Sequence, residues 1–368
     1  MHLLHSIPGR SREPDWRYYE NNGRMDSVNE TSIIATPVKP KIPKWLVPAV
    51  GYTISIVSLI WVFSKFPYAE LGAHLRTLDW WWVAAAIAFE LIAYMADSWR
   101  WQLLLRKGGA PSFGVTVQAV FVGLFANSVL PARAGEVIRC FLLSYKSEVP
   151  LTLAFTSEVI ERIMDGLWMV ILYVLLSGAI SSHVVMDGAM WIFAPIVIGL
   201  AILILLVLFH QQHAHRYASK SKFGAKFVHL LEEVHRLGDW KSLAGGMAVS
   251  GVYWAFQVMA VLALSHADAY DFGFAAAAFL LIVKTLGTMI PNAPANVGLY
   301  QATAVAGLSL LLVEHGNALI FAQIMFWFLT LPLVVGGAIA IGFAGFSLGD
   351  LSRQAHAAHH ARKQPLCK

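Results

Sequence analysis

The chain has 368 residues, of which 57% are hydrophobic and 13% are charged, roughly half the charged share of soluble domains. This composition excludes a soluble globular domain and an intrinsically disordered protein. The net charge of +5 is spread over loops, so it bears on membrane orientation and does not indicate a nucleic-acid partner. Because backbone groups in lipid must be paired within the chain, we predict an all-α fold, that of a polytopic helical membrane protein.

The predicted elements begin with residues 1–44, a charged, turn-rich segment that we expect to be a disordered cytoplasmic N-terminal arm. A transmembrane domain is predicted at 45–348, and a cytoplasmic tail at 349–368. Apolar runs long enough to cross a bilayer lie at 45–63, 80–104, 151–180, 191–209, 242–264 and 318–346.

Two shorter apolar pairs, 114–130 with 134–146 and 273–290 with 296–313, are each interrupted by Pro and Gly. The loop charges require the first pair to enter and leave on the cytoplasmic side; the second either re-enters from outside or forms two crossings. We predict two re-entrant broken-helix elements in an inverted repeat, which would put a binding site near the midplane. The alternative is two unrelated Pro kinks.

Positive residues predict the orientation in the membrane. Segments 181–190, 265–271 and 314–317 contain neither Lys nor Arg. In contrast, the first two spans are flanked by Lys39, Lys41, Lys44, Arg100, Arg106 and Lys107. Cytoplasmic loops are enriched in Lys and Arg, so both termini are expected in the cytoplasm and the protein in the cell (inner) membrane. Loop 210–241 has apolar residues at helical spacing, which predicts an amphipathic helix on the inner leaflet or a connector packed on the bundle.

The first broken pair carries ionisable groups where its helix is interrupted. The uncharged residues 114–130 are followed by Pro-Ala-Arg-Ala-Gly-Glu-Val-Ile-Arg, which supplies Arg133, Glu136 and Arg139. Ionisable groups are costly at membrane depth and usually face a bundle interior or a cavity. These three residues are therefore candidates for binding a substrate.

An acidic stripe follows in the next span. Its members fall on one face of a helix at i, i+3, i+4 and i+7: Glu158, Glu161, Arg162, Asp165. One interpretation is that these residues contact the substrate, and the other is that they form an internal salt-bridge stripe. The two roles are compatible. Span 80–104 adds Glu90, Tyr94 and Asp97 on one face, where an ion pair between Glu90 and Arg162 or Arg133 is at least as well supported as a substrate role.

The second broken pair predicts an anion site. Lys284 lies inside an apolar helix, and the break after it contains Pro291, Pro294, Asn296 and Gly298. Helix N-termini at such a break offer unpaired N–H groups that suit phosphate. Together with Arg133 and Arg139, these residues describe a site for an anionic head group; a Pro-kinked structural hairpin is the competing interpretation.

No cofactor, metal site or catalytic residue is predicted. Cys140 and Cys367 give neither a disulfide framework nor a metal spacing, the histidines lack accompanying ligands, and no phosphate-binding G-x-x-x-x-G-K-[ST] motif occurs. We favour a non-enzymatic protein, and a membrane-embedded enzyme stays open as the alternative.

The motifs resemble those of the lysylphosphatidylglycerol synthase/flippase transmembrane family. The resemblance rests on Pro131-x-Arg133-x-Gly135-Glu136-x-x-Arg139, on Glu161-Arg162-x-x-Asp165 and on Pro291-x-x-Pro294-x-x-x-Gly298. It covers roughly 45–348 and implies a flippase-like membrane protein with two re-entrant elements. The 20 or so residues after the last span are too few for the synthase domain of two-part members.

The second element departs from the family pattern. Ala295 and Asn296 stand where the family usually has Gly-Gly, and Gln301 stands where it has Glu. Since a carboxylate is missing there, the resemblance supports a role with lipid phosphate better than one with an aminoacyl lipid.

The function predicted from the sequence is that of a lipid transporter which moves an anionic or lipid-linked head group between leaflets. Its partner would be a membrane lipid, either a phospholipid or a lipid-linked substrate. One alternative is a membrane-embedded enzyme or accessory subunit in glycolipid, aminoacyl-lipid or hopanoid synthesis. Another is a structural partner that recruits a separate lipid-synthesising enzyme.

Overall fold

The computed structural model describes residues 68–130, 133–176, 184–209, 240–289 and 293–343, together with Thr53, Val57, Ile60 and Ser64. Within these ranges the regular structure is helical, in agreement with the predicted all-α membrane fold. The N-terminal arm, most of the span 45–63, most of loop 210–241, the tail, Pro131 and Pro291 lie outside the described residues.

Ten α-helices make up the described chain. They are α1 Tyr68–Thr77, α2 Trp80–Leu104, α3 Phe113–Val129, α4 Ala134–Lys146, α5 Leu151–Leu176, α6 Val184–Phe209, α7 Trp240–Ala267, α8 Phe274–Thr288, α9 Leu299–Leu310 and α10 His315–Gly342. A 3-10 turn, Pro294–Asn296, lies between α8 and α9.

Helix length separates two kinds of element. Within the described ranges, α2, α7 and α10 are long and apolar enough to cross a membrane. In contrast, α3 has 17 residues and α8 has 15, so at about 1.5 Å per residue each falls short of a hydrocarbon core of roughly 30 Å.

The helices α3 and α4 form a tight hairpin. At its open end, the base, Lys146 Nζ donates to Gln118 Oε1 over 2.7 Å. Nearer the tip the two backbones approach so closely that a Cβ on Gly135 would lie 2.0 Å from the Gly123 carbonyl oxygen. The Gly135 N–H donates to Asn127 Oδ1 over 2.7 Å. Small residues at a crossing allow this close packing.

The helices α8 and α9 form a second hairpin of the same kind. They pack on each other, and a Cβ on Gly287 would lie 2.0 Å from Thr303 Cγ2. The 3-10 turn at its tip contacts α3 of the first hairpin. The tip of the second hairpin therefore lies against the first hairpin.

The bases of the hairpins lie at opposite ends of the bundle. Helices α2 and α7 are antiparallel, since Asp79 N at the start of α2 donates to Ala267 O at the end of α7 over 3.0 Å. Late in α2, Arg100 NH1 donates to Ser250 Oγ, early in α7, over 3.0 Å. The first hairpin begins shortly after α2 ends, and the second begins shortly after α7 ends.

The apolar core lies mainly around α7, α8, α9 and α10, where Leu264, Leu280 and Phe321 are fully buried. Outward-facing apolar side chains remain exposed on the long helices, among them Trp191 on α6 and Val335 on α10. An apolar outer surface is expected where lipid replaces water as the solvent.

Candidate functional site

A cavity of about 490 Å³ lies between the two hairpin tips. It is lined by α2, α3, α4, α5, α7, α8, α9 and α10 and by the 3-10 turn. Most of the residues predicted as substrate contacts line it: Arg133, Glu136, Arg139, Arg162, Asp165, Lys284 and Asn296. The structure thus brings residues from both broken pairs to one space.

Other predicted residues lie outside the lining. Glu158 and Glu161 are buried beside the cavity and contact arginines. Pro294 and Gly298 belong to the second hairpin tip, where they shape the backbone.

A network of ion pairs, buried except for Arg162, forms one wall. We call it the guanidinium network; it consists of Asp97, Arg100, Arg139, Glu158, Glu161, Arg162 and Asp165. At its centre Arg100 donates from NH2 to Asp97 Oδ1 and from NH1 to Asp165 Oδ1, both over 2.5 Å. Its Nε lies 3.3 Å from Glu161 Oε1. The orientation argument from the sequence treated Arg100 as a loop cation, but its side chain is 0% exposed.

The other two arginines complete the network. Arg139 NH2 contacts Glu158 and lies 2.7 Å from Glu161 Oε2. Arg162 NH2 lies 3.0 Å from Glu158 Oε1, and its NH1 lies 3.4 Å from Asp165 Oδ2. Four carboxylates therefore share three guanidinium groups. Paired and hydrogen-bonded charges are the form in which ions persist inside a protein, so these arginines are already neutralised by the protein.

Arg133, at the tip of the first hairpin, is paired with one described carboxylate. It precedes α4 in a left-handed conformation with φ 56° and ψ 36°. Its Nε lies 3.1 Å from Glu136 Oε1, and both side chains are about a third exposed, at 31% and 29%. Non-glycine residues in this conformation are uncommon and strained, and they cluster at functional sites.

The second tip has the same residue spacing as the first; the sequence predicted paired elements, but this residue-by-residue match was missed. Pro131-Ala-Arg133-Ala-Gly135 and Pro294-Ala-Asn296-Val-Gly298 share their spacing, and a shift of 163 positions (135 to 298) relates them. Asn296 has φ 56°, the same as Arg133. The signal was visible in the sequence, but its meaning depends on the left-handed backbone at both tips.

The backbone N–H groups at the tips are less free than predicted. The Gly135 N–H is bonded to Asn127, and the Gly298 N–H donates to Gln301 Oε1 over 2.8 Å. Gln301 is buried and its amide lies 3.5 Å from Gln323 Oε1. The residue that departs from the family pattern thus caps α9 and does not line the cavity.

Two charged side chains in the cavity have no ion pair with any described residue. Lys284 Nζ lies over the Tyr300 ring, 5.4 Å from its centroid. Glu90 accepts a hydrogen bond from Gln257 Nε2 over 3.0 Å, whereas the sequence suggested Arg162 or Arg133 as its partner. Both side chains line the same cavity. Among the described cations of the lining, Lys284 is the one without a carboxylate partner, which suits it to receive an anion.

Comparisons with known proteins agree with this architecture. The model of the lysylphosphatidylglycerol synthase transmembrane region matches residues 49–337. A UPF0104 membrane protein of Methanothermobacter thermautotrophicus is 22% identical over 340 residues, which are 82% of this chain and 97% of that protein. Another from the same organism is 26% identical over 193 residues, 50% of this chain and 52% of the relative.

Glycosyltransferase AglD of Haloferax volcanii is also similar to part of the chain. The two are 26% identical over 129 residues, which are 35% of this chain and 21% of AglD. The chain thus spans about half, or less, of two of the three relatives described here.

Proposed function

The chain belongs to the family of lysylphosphatidylglycerol synthase transmembrane regions, and we propose on that premise that it moves a lipid with an anionic head group between the leaflets of the cell membrane. The head group would enter the cavity between the hairpin tips while the acyl or isoprenyl tails remain in the bilayer. Polar groups at membrane depth commonly mark such substrate pathways.

One observation carries the proposal: Arg133 and Lys284, from hairpins based at opposite ends of the bundle, line the same cavity. The arginines of the guanidinium network are neutralised by carboxylates, whereas Lys284 has no ion pair with a described residue and Arg133 has one partly exposed pair. A phosphate between these two cations would be reachable from either leaflet through a movement of one hairpin. We assign substrate contact to Arg133, Lys284 and Asn296, and a supporting role to the network.

Helix packing supports an inverted repeat of two units, α2–α5 and α7–α10. In the first unit α3 packs on α10, and in the second its equivalent α8 packs on α5. Likewise α2 packs on α10 and α7 on α5, while the equivalent helices α2 and α7 pack antiparallel against each other. Each contact thus has its counterpart after exchange of the units, as expected if both hairpins re-enter from opposite sides.

Charge supports one orientation. Lys107, Lys146 and Lys241 lie at the end of the bundle where the first hairpin has its base, and Asp268, Asp271 and Glu314 lie at the other end. Because cytoplasmic ends are enriched in Lys and Arg, we propose that the first hairpin enters from the cytoplasm and that both termini are cytoplasmic.

The test is a leaflet-accessibility assay. The purified full chain is reconstituted into vesicles that contain fluorescent phosphatidylglycerol, and dithionite is added outside. In empty vesicles about half of the fluorescence should be quenched, because one leaflet is protected; with the protein, nearly all should be lost. Lys284→Gln should slow the loss of fluorescence from the inner leaflet. Lys241→Gln, which changes an exposed lysine at the start of α7, should not slow it. Equal traces for wild type and empty vesicles would refute the proposal.

The match to glycosyltransferase AglD favours a second candidate, a membrane subunit that works with an enzyme of lipid glycosylation. In that case the purified chain would leave phosphatidylglycerol in place. A phosphoisoprenoid that carries a sugar would then be the lipid to assay, with and without the enzyme.

A further inference from the structure

We propose that the protein takes up one proton for each anionic lipid it carries, and that Glu90 on α2 is the carboxylate that accepts it. This inference rests on the proposed lipid transport and adds its energy coupling. It follows from how the charges around the cavity are paired.

The guanidinium network has no cation to spare. Its four carboxylates share three guanidinium groups, and each guanidinium contacts at least two carboxylates. The pair between Arg133 and Glu136 balances itself. Among the described residues this leaves Glu90 and Lys284, which both line the cavity and have no ion-pair contact with a described residue.

In the empty cavity, the positive charge of Lys284 offsets the negative charge of Glu90 at a distance. A lipid phosphate that docks between Arg133 and Lys284 adds one negative charge. Since Glu136 already balances Arg133, the phosphate neutralises Lys284 and Glu90 is left without a counter-ion. An isolated carboxylate that is only 5% exposed is costly in a low-dielectric interior. The neighbouring network already has one more carboxylate than guanidinium groups. None of its arginines can therefore serve as the counter-ion of Glu90.

The described groups nearest to Glu90 include one cation, Lys284. Tyr94 lies on its own helix, Tyr253 and Gln257 face it from α7, Lys284 from α8 and Tyr300 from α9. Apart from Lys284, all are neutral side chains. A proton is therefore the simplest counter-charge. It moves from a hydronium ion at the open face of the cavity onto a Glu90 carboxylate oxygen. When the phosphate departs, the proton returns to water.

Gln257 is suited to this change of state. Its amide Nε2 donates to Glu90 Oε2 over 3.0 Å, a bond that a carboxylate and a carboxylic acid can both accept. The geometry of the site is thus preserved whether or not Glu90 carries the proton.

The experiment uses the full chain in vesicles with fluorescent phosphatidylglycerol and a pH-sensitive dye in the lumen. With the exterior one pH unit below the lumen, wild-type protein should move lipid inward faster than at equal pH, by up to about tenfold, because the proton concentration on the loading side is tenfold higher. The lumen should acidify along with lipid entry.

Glu90→Gln, a neutral isostere that keeps an acceptor for Gln257, should still move lipid, but at a rate that does not respond to the gradient. Glu148→Gln is the control, since this carboxylate is exposed and lies outside the cavity; it should respond like wild type. If wild type moves lipid equally fast with and without the gradient, or if Glu90→Gln still responds to it, proton coupling through Glu90 is wrong. If wild type moves no lipid at all, the proposed function itself fails.

Discussion

Replacing Arg133 by Asn should separate stability from transport. Arg133 has φ 56° and ψ 36°, and a non-glycine residue in this left-handed region costs about 1–2 kcal/mol. Asn adopts it several-fold more readily than most residues. The change also removes an ion pair to Glu136 whose side chains are 31% and 29% exposed, which is worth roughly 0–1 kcal/mol.

The two effects oppose each other, and the relief of strain should be the larger. We expect Arg133→Asn to leave the free energy of unfolding unchanged or to raise it by about 1 kcal/mol. Arg133→Ala should lower it by up to about 1 kcal/mol, because Ala keeps the strained backbone and loses the ion pair. Both variants should lose most lipid movement, since each lacks the cation at the first hairpin tip.

The measurement is the midpoint of thermal unfolding in detergent, followed by the leaflet-accessibility assay on the same preparations. Asn296 provides the reciprocal control, because it has the same φ at the second tip; Asn296→Ala should destabilise by about 1 kcal/mol. If Arg133→Asn unfolds at a lower temperature than Arg133→Ala, the left-handed conformation is not a source of strain. If it is stable and fully active, the proposed phosphate contact is refuted.

Three further predictions concern the fold and the network. Gly135→Ala should destabilise the protein by about 1–3 kcal/mol, because its Cβ would lie 2.0 Å from a backbone oxygen. Gly114→Ala is the control and should not destabilise it, since no atom lies within 4 Å of that Cβ. Equal unfolding midpoints for the two variants would contradict the close helix crossing. Leu312→Cys should react with an impermeant thiol reagent from outside whole cells and Phe343→Cys should not, once the native tail cysteine is replaced; the reverse result would overturn the proposed orientation. Arg100→Met leaves buried carboxylates without their partner and should lower the free energy of unfolding by about 3–5 kcal/mol. The readout is loss of monodisperse protein in detergent. A normal yield and unfolding midpoint would show that the network is not structural.

Much of the site could be predicted because helical periodicity is a local property. The spacing of Glu158, Glu161 and Asp165 put them on one helix face, and all three are buried. The Pro and Gly positions likewise predicted where each broken pair turns. Such signals need only the residues of one segment and the dimensions of a bilayer.

The sequence could not predict which charges pair. Arg100 was interpreted as a loop cation, yet it bonds to carboxylates 61 and 65 positions away. Glu90 accepts a hydrogen bond from Gln257, which is 167 positions away, instead of pairing with an arginine. Periodicity fixes the face of a helix on which a side chain lies, but the partner depends on which helix packs there and at what height.

By itself the sequence determined that this protein is an all-α membrane protein whose charged residues face inward, because lipid tolerates neither unpaired backbone groups nor exposed charge. Only the tertiary structure decided which of the inward cations are neutralised by carboxylates and which is not. Packing of α2 against α5 and α7 encloses Arg100 among carboxylates and a serine hydroxyl, while Lys284 on α8 meets the Tyr300 ring and an open cavity. That difference in surroundings makes Lys284 the expected anion contact.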